Sequence, residues 1–398
     1  MPTSFIRRKL DSELRKAAQE TPVVALLGPR QSGKTTLARM VFKDHNYVNL
    51  EDLEQRRYAL AEPKSFLDSI ATPAGVILDE IQHVPELFSY IQVRADEEKK
   101  NGYFVLTGSQ NFALDEKISQ SLSGRISKFQ LLPLSIQELV DAQQLPDTLE
   151  ELVYKGCYPK IYSDDVSVDR MYKNYIQTYI EKDVRQIKNI TNLLLFQDFI
   201  IACAARSGQL LNLTSLSEDL GISQNTVKSW LSVLVSSYIV FLVKPYRKKY
   251  GKQLVKAPKL FFVDSGLVCS LLGIKSPDEV KHSYLRGSLV ETLIVSDLYK
   301  QFCNKDFDPS KSLYFWRDHS GHEIDAIIHK QPNPIAVEIK SGKSISPDYF
   351  SGFEKWNAFT KTPAATNYVI YGGQNNQKWQ AGTILGWQSA GTLIDDLF

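Results

Sequence analysis

LLGPRQSGKTT, residues 26–36, ends the apolar run VVALLG (23–28) and opens the helix-like stretch GKTTLARMVF (33–42). From Gly28 to Thr35 it satisfies G-x-x-x-x-G-K-[ST] in full, at the strand-to-helix junction where that pattern carries meaning. The expected nucleotide-binding set is Gly28, Pro29, Arg30, Gln31, Ser32 and Gly33 in the loop, with Lys34, Thr35 and Thr36 at the helix start. Loop amides wrap a β-phosphate, Lys34 neutralises β/γ charge, and the Thr35 hydroxyl joins a Mg²⁺ shell. An ordinary Gly-rich turn is the competing reading, so the surrounding chain has to decide.

It decides for a nucleotide site. Short apolar runs alternate with helical stretches through the first third, the pattern of a parallel α/β sheet. VVALLG, YVNLED (47–52), GVILDE (75–80), YFVLTGS (103–109) and KFQLLPL (128–134) read as its five strands. VILDE ends in Asp79 and Glu80, a pair suited to hold Mg²⁺ through water and to polarise an attacking water. An acidic strand end also serves as a helix cap, but the P-loop beside it favours the catalytic pair. Ser109 and Gln110 end the strand expected between the other two, where a polar side chain senses a γ-phosphate. Arg125, in SLSGR (121–125), is read either as an arginine finger acting on a neighbouring subunit's ATP or as a surface salt bridge.

The series GPRQSGKTT, VILDEIQ, LTGSQ, SLSGR and LPLSIQEL resembles the AAA+-type ATPases that carry a C-terminal region of unknown function. EKDVRQI (181–187), FFVDSGL (261–267) and YFWRDHSGHEID (314–325) extend the resemblance over nearly the whole chain. The resemblance implies an ATPase domain, a winged-helix middle, a nuclease-like C-terminus and ring-forming homo-oligomers, a hexamer among them, with ATP and Mg²⁺ as cofactors.

Beyond a linker at DAQQLPD (141–147) the chain turns helical. LTSLSEDLGISQNTVKSWL reads as a helix-turn-helix, with Gly221 at the turn and Ser223 capping the second helix. Gln224, Asn225, Lys228 and Ser229 would face a DNA groove. The next stretch, KPYRKKYGKQLVKAPK (244–259), holds seven basic residues, no acid and two tyrosines. As a wing it brings Arg247, Lys248, Lys249 and Lys252 to phosphates, giving structure-dependent rather than sequence-specific DNA binding. A protein-binding adaptor with a solvated basic loop is the alternative.

In the last third, Asp325, a spacer of a dozen residues, then Glu338-Ile339-Lys340 on an apolar strand has the layout of PD-(D/E)xK nucleases. Glu338 and Lys340, two apart, share a strand face. Asp325, Glu338 and the helical Glu291 are the expected Mg²⁺ ligands, and Lys340 would orient the attacking water. Such folds also persist as binding modules without cleavage. His319, His322 and His329 read as surface residues of a hairpin.

The expected fold class is therefore α/β: a P-loop, AAA+-like parallel sheet (1–145), a helical and winged-helix domain (146–270), and an α/β nuclease-like domain (271–398). The 398 residues carry a net charge of only +2, so an acidic partner must be met by local clusters. Cys157, Cys203, Cys269 and Cys303 form no CxxC pair and read as buried thiols. Without an apolar signal-like segment or a membrane-length apolar run, a cytoplasmic protein with no membrane contact is expected. The functional expectation is ATP-dependent action on DNA with a C-terminal Mg²⁺ nuclease. An ATP-gated signalling switch with protein partners is the alternative.

Overall fold

The computed structural model describes residues 5–109, 121–164, 166–179, 190, 192–247 and 256–398. Five short segments form the first sheet: β1 (Val23–Leu27), β2 (Asn46–Asn49), β3 (Val76–Asp79), β4 (Phe104–Gly108) and β5 (Ile126–Gln130). All pairings are parallel, in the order β2-β3-β4-β1-β5. Strands of such a sheet are covered on both faces, which is why β1, β3 and β4 are apolar and fully buried. β4 lies between the P-loop strand and the strand ending in Asp79, so their carboxyl ends share one rim of the sheet.

The helix Asp11–Glu20 and the P-loop helix Lys34–Val41 cover one face, packing Leu10, Leu14, Leu37 and Ala38 against Val24, Leu26 and Val105. The helices Pro63–Ile70 and Leu87–Glu98 cover the other. A capping box, Ser135 with Glu138, starts the short helix Ile136–Asp141 that leads away from this layer.

The middle region is helical as far as β6 (Val240–Pro245). Helices Leu213–Leu220 and Gln224–Ser236 flank Gly221, whose left-handed conformation (φ +63°) makes the turn. Ser223 Oγ accepts from Thr226 N at the start of the second helix. An antiparallel pair follows, β6 with β7 (Lys259–Phe262).

That pair does not stand alone. The end of β6 runs parallel to β8 (Leu313–Arg317), and the sheet continues through β9 (Glu323–Ile328), β10 (Ile335–Lys340), β11 (Asn367–Tyr371), β12 (Gln377–Trp379) and β13 (Gly382–Gly386). The eight strands lie in the order β12-β13-β11-β10-β9-β8-β6-β7. One hydrophobic core runs from the middle helices to the long helix Arg286–Asn304 and one face of this sheet. A separate aromatic cluster around Trp316, Phe353 and Trp356 covers the other face. The second and third regions of the sequence thus share one sheet and one core. Among the described residues no helix is long and apolar enough to cross a membrane.

Candidate functional sites

The P-loop leaves β1 through Gly28 (φ +154°), where a Cβ would come within 2.1 Å of the Leu131 carbonyl oxygen. Only glycine fits that approach. Lys34 Nζ crosses the loop to the carbonyls of Gly28 (3.0 Å) and Pro29 (2.8 Å), and Ser32 Oγ donates to Pro29 O. Arg30 pairs with Glu51, Gln31 takes a left-handed conformation, and Thr36 is exposed at the helix start.

Across the rim, Thr35 Oγ1 lies 3.0 Å from each oxygen of Asp79. The Asp79 carboxylate also accepts from Tyr47 OH at 2.7 Å and from Thr107 Oγ1. Burial and the Asp79 contact push the Tyr47 phenol up, so it stays a donor. Glu80 follows in the left-handed region (φ +57°), which turns its side chain out of the strand line. Its Oε2 accepts from Ser109 Oγ at 3.1 Å and from the Gln82 amide. Burial alone would raise the Glu80 carboxyl, but Lys34, Gln82, Arg30 and Ser109 outweigh it and hold the group below the usual carboxylate range. Asp79 and Thr35 form a hard-oxygen pair that fits Mg²⁺.

Two features beside this rim were not visible in the sequence. Ile6, Leu37, Met40, Leu134 and Pro159 line a cavity of about 270 Å³ against Ser32 and Gly33, with Arg7, Asp11 and Asp164 also on its wall. Arg8, buried, donates to three elements at once: to Ser32 O of the P-loop (2.7 Å), Leu132 O (2.6 Å) and Glu138 Oε1 (3.0 Å). Glu138 completes the capping box beyond the sheet, and Ile136 N beside it donates to the buried Asp297 of the long helix. Charged residues in an N-terminal segment look solvated until their distant partners are known. The S-x-x-E of SIQEL was the available signal.

Arg125 is half-buried and makes a two-pronged pair with Asp96 (2.5 and 2.9 Å) in its own chain. Gln110, Lys248, Lys249 and Lys252 lie outside the described residues, as does EKDVRQI. Gln224, Asn225 and Lys228 are exposed on their helix, Gln224 donating to Thr214 Oγ1, while Ser229 is half-buried. Arg247 is exposed and lines an open cavity with Lys244, Tyr246 and Lys256. His319, His322 and His329 are exposed.

The C-terminal acids do converge. Pairing between β8 and β9 slips between Tyr314 and Trp316, and β9 pairs with β10 only as far as Ala326 opposite Val337. The irregularity frees Asp325 from the ladder, and its Oδ2 accepts from Ile339 N at 2.7 Å. Glu338 shares a hydrogen bond with Asp325 and accepts from Lys340 Nζ at 2.7 Å. Burial and the Asp325 charge push Glu338 up to about 8. Glu291 is pushed up to about 7, by burial and then by Asp325.

Glu323 and Lys259 were missed by sequence. Carboxylate oxygens of Glu291, Glu323 and Asp325 all lie within 4.8 Å of one another. Lys259 Nζ, however, sits against Glu291 Oε1 (2.7 Å) and Glu323, and Arg317 holds the other oxygen of Glu323 at 3.0 Å. Lys259 ends the basic stretch 244–259; it opens β7 and is buried, because three acids draw it inward. The oxygens suit a divalent cation in kind, but as arranged they surround an ammonium and do not fit a resident metal.

Residues 20–140 match the family model of an AAA domain, residues 146–278 a domain of unknown function (DUF8612), and residues 286–389 another (DUF4143). An uncharacterised protein of Mycobacterium tuberculosis is 28% identical over 339 residues, 84% of this chain and 74% of the relative. One from Methanocaldococcus jannaschii is 23% identical over 336 residues, 77% of this chain and 72% of the relative. Among solved structures, a Walker-type ATPase of Pyrococcus abyssi aligns over 67% of this chain and 96% of its own, with 15% identity and a TM-score of 0.44.

Proposed function

We infer that this chain, an AAA+-type P-loop protein with a C-terminal domain of unknown function, hydrolyses ATP and uses the cycle to act on DNA through a winged helix. The observation that carries the reading is the rim where Thr35, Asp79, Glu80 and Ser109 meet above the P-loop. Thr35 and Asp79 would hold Mg²⁺, which when bound shields phosphate charge. Lys34 neutralises the β/γ-phosphates. Glu80, kept ionised, orients and deprotonates the attacking water. Ser109, touching Glu80, is placed to report the γ-phosphate to it. Arg125 would complete the site of a neighbouring subunit in a homo-oligomer, leaving Asp96 to do so.

The DNA assignment is supported by the exposed face Gln224, Asn225 and Lys228 and by the cations Lys244, Arg247 and Lys256 beside Tyr246. The test is ATP turnover with and without duplex, single-stranded and branched DNA at low salt. Turnover that rises with DNA supports the reading. Active but DNA-indifferent turnover, with no DNA bound, would instead favour a switch gated by protein partners.

A second reading, metal-dependent cleavage at the C-terminal centre, has the contact of Asp325, Glu338 and Lys340 behind it but requires Lys259 first to leave Glu291 and Glu323. Digestion with Mg²⁺ or Mn²⁺, compared with a Glu338→Ala/Lys340→Ala variant, tests it. Cleavage lost in the variant supports the reading, and no cleavage by the parent protein rejects it.

A further inference from the structure

We propose that Lys259 is the built-in cation of the C-terminal carboxylate centre, standing where a divalent ion would otherwise sit and keeping metal out. The proposal rests on reading the centre as nuclease-like in origin, but it concerns what fills the centre rather than whether it cuts.

Three observations carry it. First, the ammonium is surrounded as a metal would be. Lys259 Nζ meets Glu291 and Glu323, two of the three acids whose oxygens converge, and the charge of the third, Asp325, also acts on it.

Second, the remaining side of the cage is an aromatic face. The Phe315 ring centre lies 5.6 Å from Nζ, and Phe315 is fully buried. A ring face attracts an ammonium but supplies no ligand to a hydrated Mg²⁺, which needs about six oxygens.

Third, the lysine's backbone is anchored on both sides. Its backbone is fixed opposite Val243 of β6 and bridged to Leu210 on its other side. Gly208 N donates to Leu260 O, and Leu211 N to Pro258 O, so both flanks of Lys259 are held by the segment leading into the helix-turn-helix. Gly208 (φ +83°) also leaves room for Glu291, since a Cβ there would stand 3.3 Å from Glu291 Oε2. A shift of β7 against that segment would therefore carry the Lys259 backbone away from the three acids.

The test is Mn²⁺ titration of the full-length, nucleotide-free protein, followed by electron paramagnetic resonance and thermal melting. Wild type is expected to leave the free-ion spectrum unchanged at one equivalent, and Mn²⁺ not to alter its melting. Lys259→Met is expected to immobilise one Mn²⁺ with affinity higher on the order of 10²-fold, from removal of a unit charge at contact distance. Its melting temperature should fall without Mn²⁺ and recover with it.

Lys259→Met/Glu323→Gln removes one charge of each sign and guards against simple misfolding. It should gain the same site through Glu291, Asp325 and Glu338. The proposal is overturned if wild type already binds one Mn²⁺ tightly and loses it in Glu291→Gln, or if the folded variants take up none. Failure of both variants to fold, with or without Mn²⁺, would also overturn it, since Lys259 would then be indispensable rather than exchangeable. Metal-dependent DNA cleavage by wild type that is lost in Glu338→Ala/Lys340→Ala would also overturn it, whereas absence of cleavage bears on the second reading above.

Discussion

Thr35 Oγ1 stands equidistant, at 3.0 Å, from the two carboxylate oxygens of Asp79, a residue 44 positions further along the chain. That symmetry places a helix start and a strand end on one point, so changes on either side should have separable effects. Asp79→Asn is expected to lower ATP turnover by about 10²-fold or more. Glu80→Gln should leave nucleotide binding intact and cut turnover by about 10²–10⁴-fold. Lys34→Ala should abolish binding itself. Phosphate release alongside fluorescent-nucleotide titration distinguishes the three.

If Arg125 serves a neighbour, the site is shared between two chains. Arg125→Ala and Glu80→Gln should each be inactive alone, while a mixture regains part of the activity. Equal inactivity of the mixture would return Arg125 to its pairing with Asp96.

Arg8 offers a stability test. Its partner Glu138 has no exposed surface, and Arg8→Met would strand that carboxylate at a cost of about 3–5 kcal/mol. Arg8→Lys keeps the charge but cannot reach Ser32, Leu132 and Glu138 together, so it should fall between. Urea unfolding, read with nucleotide affinity, checks both.

Glu338 gives stability a pH dependence of defined sign. Its folded carboxyl is raised from 4.5 to about 8, so the folded chain holds a proton that the unfolded chain releases. The stabilisation is complete below 4.5 and disappears as pH rises through about 8. Glu338→Gln should flatten this fall and leave the protein more stable than wild type at the alkaline end. Melting temperatures from pH 5 to 9 would show it, and an unchanged slope would count against the assignment.

The thiols should be silent. Burial pushes Cys157 and Cys203 up to about 12, and Cys269 and Cys303 higher still. Ellman's reagent at neutral pH should label none in the native chain and all four in denaturant.

The first sheet was legible because its central strands, β1, β3 and β4, are short buried runs with their own punctuation. VILDE also announced its acids by where it ended. The helix-turn-helix was legible through Gly221 and Ser223, both local signals. Strands β11 to β13 were not read, because β11 and β13 lie in a parallel array whose pairing depends on distant segments. The burial of Lys259 was not legible for a related reason. In sequence it ends a basic run, and only acids 32 and 64 residues later, Glu291 and Glu323, explain its burial. Asp325, Glu338 and Lys340 were legible as a spacing. The slip between β8 and β9 that sets Asp325 apart was not, because it arises in the paired strands and not in either alone.

Arg8 has a consequence for how the protein is made. Its carboxylate partner lies 130 residues downstream, so a chain leaving the ribosome presents its phosphate loop long before Glu138 arrives to brace it. The nucleotide pocket is then among the last parts of its own layer to set, and a fragment cut to the matched span 20–140 would keep every catalytic residue of that layer while losing the clasp. An excised fragment should therefore start ahead of Arg8, and an emerging chain should become able to hold nucleotide only after the helix Ile136–Asp141 has been translated.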